Sequence, residues 1–154
     1  METEGEAGIY ARESAYLECY VQIGIAGGRL LSVSFPDGPP ADAQTEQPLL
    51  DRIEAYLEGT TDAFDDVEVA MTMPTDHQKV LEAVRDVPYG ESASVEDVTR
   101  MAGLDPEDSE DQTLVRTALA ENPTPLVIGD HRIRDGPSAA PPGIEQRLRS
   151  LEGL

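Results

Sequence analysis

Apolar and polar positions alternate with a period of two along "YLECYVQIGI", residues 16–25. Leu17, Cys19, Val21, Ile23 and Ile25 share one face, and Tyr16, Glu18, Tyr20 and Gln22 the other. "AGG" at 26–28 turns the chain, and "RLLSVSF" follows with Leu31, Val33 and Phe35 assigned to one face. Residues 7–35 therefore read as strands. "PDGPPADAQTEQP" reads as a loop. In "LLDRIEAYLEG" the period changes to that of a helix, with Leu49, Leu50, Ile53, Tyr56 and Leu57 inward and Gly59 as the stop. "DDVEVAMTM" alternates again and predicts another strand.

Pro74 marks a boundary. Thr75 and Gln78 have the spacing of a capping box with Thr75 as N-cap. The helix after them turns Val80, Leu81, Val84 and Val87 inward and ends at "VPYG". "SVEDVTRMAG" predicts a short helix with Val95, Val98 and Met101 inward. After the acidic loop "LDPEDSEDQ", "TLVRTALAEN" buries Leu114, Val115, Ala118 and Leu119 and presents Thr113, Arg116, Thr117 and Ala120 outward. "GIEQRLRSLEGL" closes as a helix. The layout predicts an α+β fold: a small N-terminal sheet-plus-helix subdomain over 1–73, then a mostly helical domain over 74–154. Two short helices joined by a loop fit a helix-turn-helix, although paired helices are more often plain packing.

Composition narrows the classes. A chain of 154 residues makes one compact unit or two subdomains sharing a core. No apolar run approaches the roughly 20 residues of a membrane span. "METEGEAGIY" lacks the basic and apolar regions of a signal peptide, so a soluble cytoplasmic protein is expected. Cys19, the only cysteine, lies on the inward face and behaves as a small hydrophobe. His77 and His131, the only histidines, are far apart, so neither a metal site nor a cofactor is expected.

The net charge of −20 changes the picture more. Residues 123–154 hold four acids and four bases, so the whole surplus lies in residues 1–122. Lys79 is the single lysine against ten arginines. Such a surface suits a salt-accumulating, haloarchaeal-type cell, where molar salt shortens the screening length to about 3 Å and silences self-repulsion. The alternative is an acidic protein that binds partners through its surface.

"VLEAVRDVPYGESAS" resembles the O6-alkylguanine-DNA alkyltransferase family (methylated-DNA–protein-cysteine methyltransferases), which reads roughly V-W-x-A-L-x-x-I-P-x-G. Val80, Ala83, Val84, Val87, Pro88 and Gly90 fit. "ENPTPLVIGDHRI" is similar to the family's N-P-x-P-[apolar]3-P-C-H-R-V through Asn122, Pro123, Pro125, His131, Arg132 and Ile133. "LEGL" matches its closing E-G through Glu152 and Gly153. The resemblance covers about residues 74–154 and implies a winged-helix or helix-turn-helix-like alkyltransferase domain. It also implies a cysteine that takes the alkyl group from a base swung out of the duplex, beside a histidine oriented by a glutamate.

This chain departs from that pattern at the decisive place. Asp130 stands where the family carries its cysteine, and Gly129 where it carries proline. A carboxylate is a poor nucleophile toward an alkyl ether, so the resemblance leaves His131, Glu152 and Asn122 as a relay with nothing to activate. Asp130 reads either as a hydrogen-bonding group toward a base or His131, or as a remnant solvated or paired with Arg132 or Arg134. The family's base-rotating tyrosine is Val95 here, and its gap-filling arginine aligns with Thr113; Arg116, one turn later, is the candidate substitute. The loop carrying the family's Y-x-G-G is shortened to "RDGPSAAPPG".

Thr113, Arg116, Thr117 and Arg132 are the candidate DNA contacts. They sit in difficult surroundings, because residues 90–122 carry nine acids against Arg100 and Arg116. Phosphate contact and counterion release cannot favour such a surface, so DNA binding would need high salt and contacts to bases or shape. Three functions stay open: a DNA-recognition module without repair chemistry, an enzyme with residual alkyltransferase-class chemistry through Asp130 or His131, and an acidic protein-interaction scaffold.

Overall fold

A computed structural model of the chain describes residues 7–38 and 41–154. Residues 1–6, on which the reading of the N-terminus rests, and Pro39 and Pro40 of the predicted loop lie outside the described residues. The N-terminal alternation forms an antiparallel three-stranded sheet in the order β1 (Gly8–Ser14), β2 (Cys19–Ala26), β3 (Arg29–Ser34). Leu17, Cys19, Val21, Ile23 and Ile25 are all buried, as the period of two requires. In β3 the expectation holds at Val33, which is buried, and fails at Leu31. Leu30 is 0% exposed and Leu31 is 42% exposed, the reverse of the predicted face. Ile23 pairs with Val33 and Ile25 with Leu30, so the register slips between Gly24 and Ile25 and β3 carries one extra residue. That bulge inverts the parity of the strand, and Phe35 is left only partly buried.

Helix α1 (Pro48–Leu57) follows, with Gln47 as N-cap, and buries all five of its predicted apolar positions. The predicted strand over 65–73 is not formed as a strand. Val67 and Val69 do turn inward, yet the segment bonds to β3 only where Leu30 donates to Glu68 and Ala70 donates to Leu30. Helix α2 (Thr75–Arg85) starts one residue earlier than the capping-box reading, with Pro74 as N-cap and Thr75 already helical. Gln78 does not reach back to a cap; its amide donates to the carbonyls of Met71 and Met73 and ties the preceding segment to the helix.

Helix α3 (Val95–Met101) has the capping box that α2 lacks, between Ser94 and Asp97. Val95 and Val98 are buried, but Met101 is 47% exposed and Thr99 takes an inward place, its hydroxyl donating to the Val95 carbonyl. Helix α4 (Ser109–Ala120) begins inside the predicted acidic loop, because Asp108 caps it, and α4 packs on both α2 and α3. A single 3-10 turn, Asp130–Arg132, precedes helix α5 (Pro142–Glu152). One hydrophobic core runs from the sheet through α1 and α2 to α4 and α5. Among the described residues no helix is long and apolar enough to cross a membrane.

The bulge makes a measurable difference between neighbours. Leu30→Ala should cost about 2–5 kcal/mol of stability in denaturant unfolding, and Leu31→Ser no more than about 0.5 kcal/mol. Equal effects at the two positions would restore the simple alternation.

Candidate functional site

Three separate stretches converge on the carboxylate of Glu152 at the end of α5. His131 Nε2 lies 2.6 Å from Oε2, and Tyr56 of α1 donates its hydroxyl to the same oxygen at 2.5 Å. Arg132 donates through Nε to Oε1 at 2.8 Å and through Nη2 to Oε2 at 3.0 Å, a fork-to-fork pair. The Gly90 amide donates to Oε1 at 2.9 Å. Two glycines make this possible. Gly90 has φ +79 and Gly153, which caps α5, has φ +82, both in the left-handed region that glycine adopts without strain. The P-x-G and E-G pieces of the sequence are thus the turns that aim an amide and a carboxylate at each other.

Burial alone would raise the Glu152 carboxyl, but bonds from His131 and Arg132, the charge on that side and the Gly90 amide outweigh it and hold the group well below the usual carboxylate range. Tyr56 moves the other way: burial, then the Glu152 charge, push its hydroxyl up, so it stays a donor. His131 presents Nε2–H to the carboxylate, which can only accept. Its Nδ1 is buried without a partner among the described residues.

Asp130 belongs to a second, adjoining set. Its Oδ2 accepts from the Asn122 amide at 3.0 Å and from the Ala139 backbone amide at 2.9 Å, and the Ser138 hydroxyl donates to Oδ1 at 2.5 Å. Asn122 is itself fixed by donating to the Ile128 carbonyl and accepting from the Thr124 amide, the turn-bracing role expected before Pro123. Asp130 and His131 are 0% exposed. The carboxylate is therefore neither solvated nor paired with Arg132 or Arg134, which corrects both forms of the remnant reading. Burial pushes the Asp130 carboxyl up, and the bonds from Ser138, Ala139 and Asn122 offset this only in part.

Arg132 is the clearest correction. It was a candidate DNA contact, yet it is 1% exposed, and its guanidinium is turned inward onto Glu152, the Val87 carbonyl and the ring of Tyr89. A basic group held in the core cannot reach a phosphate. Gly129 makes this orientation possible: a Cβ there would stand 2.9 Å from Arg132 Nη1. By contrast Thr113, Arg116 and Thr117 lie exposed on α4, and Arg116 donates to the Asp135 carbonyl at 3.0 Å. Val95 is buried. Cys19 is buried in β2, where burial and then Asp37 push its thiol up, and Arg147 lowers it only partly. His77 is half-buried at the start of α2.

Sequence reasoning missed Tyr56, Ser138 and the inward turn of Arg132. Tyr56 carried a signal, since a tyrosine on an apolar helix face must find a partner for its hydroxyl. Ser138 carried none, because its role depends on where the shortened loop folds.

The model of the 6-O-methylguanine DNA methyltransferase DNA-binding domain matches residues 75–148. The chain is similar to the methylated-DNA–protein-cysteine methyltransferase of Methanopyrus kandleri, 33% identical over 128 residues, 80% of this chain and 93% of that protein. It is also similar to that of Methanothermobacter thermautotrophicus, 32% identical over 69% of this chain and 60% of the other. In fold it is similar to the O6-methylguanine-DNA methyltransferase of Pyrococcus kodakaraensis, with TM-score 0.72, 19% identity and coverage of 96% and 100%. Mycobacterium tuberculosis OGT in complex with DNA gives 0.68, 21% identity and coverage of 95% and 91%.

Glu152→Gln removes the charge that compensates Arg132 and should destabilise by about 3–5 kcal/mol. The two carboxyls act oppositely with pH. Glu152, depressed in the fold, contributes stability above its unfolded value of about 4.3 that is lost as pH falls. Asp130, raised in the fold, contributes below about 3.9 and loses its contribution as pH rises. In melting curves across pH, Glu152→Gln should flatten the acid limb. Asp130→Asn should gain on the wild type as pH climbs toward neutral; a variant-minus-wild-type stability difference that falls over that range would contradict this. Gly129→Ala crowds Arg132 and should cost about 1–3 kcal/mol, read by the same melts.

Proposed function

The chain belongs to the O6-alkylguanine-DNA alkyltransferase family, and from that membership we propose that it is a member without alkyl-transfer chemistry that recognises DNA, alkylated DNA included, in the service of DNA repair. The carrying observation is Asp130. In register with the family's cysteine stands an oxygen acid that is fully buried and accepts three hydrogen bonds. A group satisfied in that way is a poor attacking group twice over, by its chemistry and by its occupied lone pairs. His131 and Glu152 are hydrogen-bonded to each other, but Glu152 is also engaged with Arg132 and Tyr56, and in this reading the pair has no thiol to serve.

Residues 74–154 form the recognition domain in this reading, and residues 1–73 support it by sending Tyr56 to Glu152. On α4, Thr113, Arg116 and Thr117 are exposed on one side and offer hydrogen bonds with a single positive charge. Nine acids between residues 90 and 122 oppose contact with phosphate at low salt. A cytoplasm of molar salt removes that repulsion, and the −20 surface belongs to such a cell. The same acids favour a second reading, in which the fold has left DNA and binds protein.

Titration of duplexes with and without O6-methylguanine in about 2 M potassium chloride tests the proposal, where screening is within about 3 Å. Binding to duplex is expected, with no alkyl adduct in the intact mass after prolonged exposure. Absence of any duplex binding would leave the protein-binding reading, and a methyl adduct on the protein would overturn the loss of chemistry.

A further inference from the structure

The segment after the 3-10 turn is tied at both ends to things that matter. At its start, the Ala93 amide donates to the Arg132 carbonyl at 2.9 Å and the Arg134 amide donates to the Ala93 carbonyl at 3.0 Å. Next, Asp135 Oδ1 accepts from the Val95 amide at 2.7 Å, at the first turn of α3. The Asp135 carbonyl accepts from Arg116 of α4 at 3.0 Å. One residue thus holds both helices of the α3–α4 pair. Gly136 is wedged beside them: a Cβ there would meet Leu119 at 2.9 Å and Val95 at 3.0 Å. Ser138 and Ala139 then bond to Asp130 and lie over it.

Proline stiffens this path, with Pro137 between the two anchor points and Pro141 and Pro142 where α5 begins. Only Gly136, wedged against Leu119 and Val95, and Pro137 separate Asp135 from Ser138, so the connection transmits a displacement instead of absorbing it. We infer that Asp135–Ala139 is a strap coupling Arg116 on α4 to the cover over Asp130, so that loss of the Arg116–Asp135 contact loosens Ser138 and Ala139 and opens the buried carboxylate.

Arg116 is the only basic residue of α4 and is solvent-exposed. Its present acceptor is a neutral carbonyl. A phosphate carries full negative charge and can take both prongs of the guanidinium at once, so a polyanion arriving at α4 draws Arg116 away from Asp135. The buried site is closed at rest and responds to what α4 touches. The trigger by a polyanion rests on the DNA reading above; the link from Arg116 to Asp130 does not.

Residue-resolved amide hydrogen exchange on the full chain decides it. In Arg116→Ala, a surface change that leaves the core intact, the Ala139 amide should exchange about tenfold faster, with Val115 and Leu119 unchanged. Asp135→Ala keeps the carbonyl that accepts from Arg116 but cuts the other anchor of the strap, the carboxylate's bond to Val95; it should expose the Val95 amide and also speed exchange at Ala139. If both variants leave Ala139 at the wild-type rate, the strap is not a link and the inference falls. A DNA duplex, with binding followed in parallel by anisotropy, should speed Ala139 exchange in the wild type and add nothing in Arg116→Ala. A duplex that binds without changing Ala139 overturns the trigger while the DNA reading stands. If no duplex binds, that reading fails, and the two variants in the free protein still decide the link.

Discussion

A single buried carboxylate has to be satisfied, and much of the molecule is arranged to do it. Glu152 receives five hydrogen bonds from three stretches of chain: α1, the turn at Gly90 and the 3-10 turn. Removing such a charge from water is unfavourable by several kcal/mol, and only dense, well-aligned donors offset it. The geometry of the donors is then no longer free. Arg132 must turn inward, Gly129 must lack a side chain, Gly90 must be left-handed, and Tyr56 must bring α1 against the C-terminal helix. The sheet-plus-helix part and the mostly helical part are joined by this network as well as by their shared core.

Asp130 and its surroundings fit one another closely. A carboxylate needs donors on both oxygens, whereas a thiol is satisfied with little. Asn122 donates from one side, and the shortened loop supplies Ser138 and the Ala139 amide from the other. Asp130 thereby serves as a fastening point for the chain. This explains why burial raises the Asp130 carboxyl while its neighbours hold it in place.

Charge is distributed with the same logic on a larger scale. Residues 123–154, which carry the buried network, are balanced, and the acidic surplus lies outside them. Arginines that must pair in the interior are not made to compete with the surface. The exposed acids of α3 and α4 cap helix N-termini, as Asp97 and Asp108 do, before they do anything toward a partner.

The period of two placed the buried face of β2, and the helical period placed every inward residue of α1, because each depends on local geometry alone. The motifs grouped Asn122, Asp130, His131 and Glu152; the fold divides them, with Asn122 on Asp130 and His131 on Glu152. What local pattern could not decide was set by distant neighbours. A bulge reversed Leu30 and Leu31, Thr99 displaced Met101 from the inner face of α3, and Pro74 moved the start of α2. Arg132 looked from its charge like a surface contact and proved to be a core residue, since only folding brings Glu152 within 3 Å of it. Sequence determines which faces are apolar and which residues can donate; whether a donor lies in water or in the core depends on an acceptor that the chain supplies from far away.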